Sequence, residues 1–64
     1  MFYVDAHGQT LPAQSIEDAH PAQSIEDAHK VARNLSMYRG QATILCMRDG
    51  AVVVLAVYEA GHQV

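Results

Sequence analysis

The chain has 64 residues, 50% of them hydrophobic and 17% charged, with four Lys and Arg against seven Asp and Glu and a formal net charge of −3. That length allows one domain, 1–64, which buries only about 60% of its unfolded surface and is marginal without help from disulfides, metals or partners. A single cysteine, Cys46, excludes an intrachain disulfide. The acidic balance argues against nucleic-acid binding, and no run reaches the ~20 apolar residues of a membrane-spanning helix.

The opening MFYVDA is rich in aromatic and β-branched residues and is expected to form a strand, with Phe2 and Val4 on one face and Tyr3 and Asp5 on the other. Asp5 to Gly8 has Asp first and Gly fourth, the pattern of a turn. Gln9–Gln14 is expected to return as a short second strand, which Pro12 restricts to a sheet edge. The stretch starts with MFYVDAHG and lacks a basic leader, so no signal peptide is expected; with one free thiol, a reducing cytoplasm is the expected compartment.

SIEDAHKVARNLSMYRG is the clearest element, a helix over about 24–39. Ser24 is expected to cap it and Asp27, three residues on, completes a variant of the capping box. Glu26 and Asp27 suit the positive end of the helix dipole, Arg39 the negative end, and Gly40 the stop. Ile25, Ala28, Val31, Ala32, Leu35 and Tyr38 recur at three- and four-residue steps and define the buried face.

The stretch from Gln41 to Gly61 is expected to form a hairpin over about 41–59, turning at Asp49–Gly50. Regular pairing about that turn puts Met47 opposite Val52, Cys46 opposite Val53, Leu45 opposite Val54 and Ile44 opposite Leu55. One face then carries Ala42, Ile44, Cys46, Val53, Leu55 and Val57, and the helix is expected to cover it. The other carries Thr43, Leu45, Met47, Val52, Val54, Ala56 and Tyr58, and one helix cannot cover two apolar faces, so Leu45, Met47, Val52, Val54 and Tyr58 are expected to form an interface between chains. The fold class is therefore α+β: an N-terminal strand or short hairpin, one helix, and a C-terminal hairpin in an antiparallel sheet.

Residues 12–20 and 21–29 are the same nine letters, PAQSIEDAH, without a mismatch. Two copies at a period of nine are too few and too short for a solenoid. A duplication without drift is expected of a recent or engineered event, and removing either copy leaves one and the same 55-residue chain. Nine residues turn a helix by 900°, so in one continuous helix Ile16 and Ala19 would lie opposite Ile25 and Ala28. Pro21 would also lack an N–H for Glu17 and clash with its carbonyl. Pro21 is therefore expected to break any longer helix, with copy two supplying the helix start and the core residue Ile25. Copy one is expected as loop or as a separate helical turn over Ser15–His20. A swapped or extended arrangement is the alternative, since an insertion at this place could alter where the helix starts or how chains assemble.

Chemistry-bearing residues are sparse. His7, His20, His29, His62 and Cys46 are metal ligands by type, but none has a ligand spacing, so no metal and no other cofactor is expected. Cys46 reads as a buried apolar filler. Asp5 and Asp49 are accounted for by turns, Lys30 and Arg33 by a solvated helix face. No nucleophile stands with a base, so no enzyme activity is expected.

The order of elements, with SIEDAHKVA followed by RDGAVVVLAVYE, resembles small ββαββ proteins of bacterial and phage origin, some anti-CRISPR proteins among them. The resemblance covers most of the chain as a layout. It implies action by binding another protein and carries no active site to any position here. The expected function is a non-catalytic interaction or self-assembling module whose partner is itself, as a homodimer or larger, or another protein. The alternative is a small-ligand binder with a pocket between subunits, similar to the oligomeric dodecins, in which Tyr3, Tyr38 and Tyr58 would stack on a flat ligand.

Overall fold

The computed structural model describes residues 2–6 and 19–64. The chain forms β1 (Phe2–Asp5), β2 (His20–Ala22), α1 (Ile25–Arg39), β3 (Gln41–Arg48), β4 (Ala51–Glu59) and β5 (His62–Gln63). The strands make one antiparallel sheet in the order β2-β1-β3-β4-β5. The α+β class, the N-terminal strand, the single helix and the C-terminal hairpin are as expected, and β5 is an addition. The expected turn at Asp5–Gly8, the strand at Gln9–Gln14 and the Ser15–His20 turn fall wholly or largely outside the described residues.

The helix starts and stops where its sequence signals stand. Ser24 is extended, and its side-chain oxygen accepts the Asp27 N–H at 3.1 Å. At the other end Gly40 takes φ 92° and donates its N–H to the Ser36 carbonyl at 2.8 Å, a left-handed stop that glycine adopts without strain. The buried stripe is Ala28, Ala32 and Ser36, flanked by Val31 and Leu35. Three small residues in line at four-residue steps let the helix axis lie close to the sheet. Two expectations on this face are corrected. Ile25 is 38% exposed, because it is the first helical residue and lies at the end of the stripe. Tyr38 is exposed on the surface, because it sits two residues beyond Ser36, about 200° around the helix.

The hairpin turns at Asp49–Gly50, both with positive φ, as the tight two-residue turn between right-twisted strands requires. Pairing runs as expected from Arg48↔Ala51 through Leu45↔Val54 and then shifts, because Ile44 pairs with Ala56 and Leu55 has no partner on β3. This β-bulge reverses the facing of everything after it. The expectation that Ile44 faces Leu55 is therefore corrected, and so is the face assignment that followed from it. Ala56 and Tyr58 turn towards α1 and are buried, with Tyr58 4% exposed, while Leu55 is 40% exposed. The core beneath the helix is Val4, Ala22, Ala42, Ile44, Ala56 and Tyr58, with Phe2 packed against it. The bulge places the small Ala56 beneath the helix, where regular pairing would have placed Leu55.

The boundary between the two identical segments falls inside β2. Val4 pairs with His20, the last residue of copy one, and Tyr3 with Pro21 and Phe2 with Ala22 of copy two, which also supplies the helix cap. Pro21, expected to break a helix, stands instead in the middle of an edge strand, three residues before the cap. An edge tolerates a residue without an N–H, since one side of the strand has no ladder to join. The connection from β1 to β2 is Ala6–Ala19, fourteen residues by the strand bounds. Removing nine would leave five, an ordinary hairpin length, with Leu11 in the place of His20 before the same Pro-Ala. α1 begins after Ser24 of the second copy and runs unbroken to Arg39.

Candidate interaction surface

Each residue expected at an interface can now be placed. Leu45 is 1% exposed between its partners Tyr3 and Val54, so it is already inside the chain. Tyr58 faces the helix. Its hydroxyl and His29 Nδ1 are hydrogen-bonded at 2.7 Å, and the two rings meet edge to face with centroids 5.7 Å apart. This satisfies the polar end of a buried tyrosine. Met47 and Val54 remain well exposed, at 48% and 45%, and Val52 is half-buried. These three share the sheet face away from α1. Met47 and Val52 lie beyond Cys46, the last β3 residue that β1 reaches, and Val54 stands opposite Leu45.

A second feature of this surface is the backbone edge of β4. The outer edge of β4 is paired with β5 only at Tyr58↔Gln63 and Glu59↔His62, with one further bond from the Val64 N–H to the Val57 carbonyl at 2.9 Å. Among the described residues, Ala51–Leu55 has no strand on that side. The opposite edge of the sheet is only the three residues of β2, with Pro21 at their centre.

The end of the helix is tied to the β4–β5 turn by a residue that the apolar periodicity passes over. Ser36 is fully buried, donates its hydroxyl to the Arg33 carbonyl at 2.9 Å and accepts the Gly61 N–H at 2.8 Å. A small polar residue at the fourth position after Ala32 was the available signal. Gly61 has φ 87°, a left-handed backbone that calls for glycine, and a Cβ there would also push on the exposed Met37 side chain, 2.7 Å from its Cγ. Ser36→Ala should cost about 1–3 kcal/mol, because the Gly61 N–H loses its acceptor. Urea unfolding measures this, and a change within about 0.5 kcal/mol, the ordinary range of surface substitutions, would show that the tie is not structural.

Of the histidines, His29 is bonded to Tyr58, His20 and His62 are exposed on edge strands, and His7 lies outside the described residues. Among the described residues no group of three or more His, Cys, Asp or Glu could hold a metal ion. Cys46 is a buried free thiol. The three tyrosines point to different surfaces: Tyr3 lies on the sheet face away from the helix, Tyr58 beneath the helix, and Tyr38 in solvent. No helix among the described residues is long and apolar enough to cross a membrane. What the geometry offers is an apolar patch beside an open strand edge, a surface suited to protein contact. Comparison of the chain with protein-family models, with curated proteins and with solved structures finds no match.

Proposed function

We propose that this chain is a non-catalytic interaction module whose primary partner is a second copy of itself. The observation that carries this reading is the exposure of Met47, Val54 and Leu55, three large apolar side chains of the hairpin that lie outside the core beneath α1. Their exposed parts amount to on the order of 200–250 Å2 per chain, worth about 12 kcal/mol for two chains at ~25 cal/mol per Å2. Association costs of ~4–15 kcal/mol are of the same size, so the patch favours a dimer of moderate affinity. A marginal 64-residue domain also gains stability from such a contact.

Light scattering at tens of micromolar should give twice the 7.0 kDa mass of the chain. Met47→Asp places a charge in the patch without touching the core and should return the protein to the mass of one chain with its circular dichroism unchanged. A wild-type mass of one chain up to 100 µM would overturn the reading.

A further inference from the structure

We infer that two chains join through the open edge of β4, Val53 against Val53 about a two-fold axis, to make one continuous ten-stranded sheet. This deepens the self-association proposed above and rests on it. The argument begins with which backbone groups of β4 are unused. In an antiparallel ladder the N–H and C=O of one residue point to the same side, and successive residues alternate. The Val64 N–H reaches the Val57 carbonyl from outside, so Val57 addresses the β5 side and Tyr58 addresses β3. Tyr58 pairs with Ala42, so Ala42, Ile44, Cys46 and Arg48 are the β3 residues that address β4. Their partners beyond the bulge are Val53 and Ala51. Val52 and Val54 therefore point their N–H and C=O groups outward, where the described residues provide no partner.

A two-fold axis at Val53 uses all of these groups. Each Val52 N–H then donates to the Val54 carbonyl of the second copy, and each Val54 N–H to the Val52 carbonyl, giving four bonds across the axis. The side chains match as well: Val52 meets Val54 on one face and the small Ala51 meets the larger Leu55. The edge bears no charge and no proline from Ala51 to Val57, whereas exposed edges are ordinarily protected by one or the other. This chain has that protection on β2, through Pro21, and lacks it on β4. Joining the edges also sets the exposed Val54 of each chain beside Val52 of the other and the exposed Leu55 beside Ala51, so part of the exposed apolar surface is covered by the same arrangement. A second copy fits better than an unrelated peptide, because the stretch Val52–Val53–Val54 is its own complement under a two-fold rotation.

The test uses the full chain. Val52→Pro removes an N–H that β3 does not use, and proline is tolerated at such an edge position. It should raise the dimer dissociation constant at least tenfold, while Val52→Thr, which keeps the N–H and the β-branched shape, should leave the dimer intact. Amide hydrogen exchange read by NMR gives an arm independent of any variant. In the wild-type dimer the Val52 and Val54 amides should be protected, and on dilution to monomer they should exchange as unpaired amides. A wild-type dimer in which these two amides exchange freely and Val52→Pro still dimerises would overturn the edge pairing and leave the patch as the contact. A wild-type monomer at 100 µM would overturn both. If Val52→Pro fails to fold, the exchange measurement decides alone.

Discussion

Ala28→Asp is expected to unfold the protein, and Ala19→Asp, the same change at the equivalent place in the other copy, is expected to leave it folded. Ala28 is fully buried on the face of α1 that packs on the sheet, whereas Ala19 is half-buried just ahead of β2. A carboxylate at Ala28 would lie in the cluster of Val4, Ile44 and Ala56. A buried charge without a partner costs about 3–5 kcal/mol. A domain of this size has roughly 3–10 kcal/mol in total, at ~0.05–0.15 kcal/mol per residue. The flanking sequence is the same in both copies, so local propensity largely cancels from the comparison. Circular dichroism with urea titration of the two variants measures it. Equal losses would mean that both copies are buried against core, as in the swapped or extended arrangement.

Ile44→Ala is expected to cost about 3–5 kcal/mol, near the upper part of the range for truncating a buried aliphatic side chain. Ile44 is fully buried on the central strand, between Val4 of β1 and Ala56 of β4, with the helix above. The packed neighbours on every side leave little room for the site to collapse. Leu55→Ala supplies the comparison, because regular hairpin pairing would have placed Leu55 in the same core, opposite Ile44. On the bulge it is 40% exposed, and its truncation should cost no more than about 1–1.5 kcal/mol. Chemical denaturation of the two variants reads the difference. Similar costs at both positions would show that the strands pair without the bulge and that Leu55 and Val57 face the helix.

What the sequence by itself determined are the features whose causes lie within a few residues. Ser24 caps the helix because its oxygen reaches an N–H three residues on, and Gly40 stops it because glycine accepts a left-handed backbone. Asp49 and Gly50 turn the hairpin for the same reason, and the register beside them follows out to Leu45↔Val54. The tertiary structure decided the rest. Regular alternation cannot announce a bulge at Leu55, since the gain from placing Ala56 beneath the helix and Tyr58 against His29 exists only once α1 lies across the sheet. Likewise Ser36 looks like a break in an apolar stripe until the Gly61 N–H arrives from a turn 25 residues away. The duplicated segments make the division plain. His20 and His29 end identical nonapeptides, yet His20 opens an edge strand in solvent and His29 holds a buried tyrosine. Local sequence is the same for both, and what separates them is that copy two runs directly into Val31, Ala32 and Leu35, whose burial against β3 anchors the helix, while copy one has no such neighbour.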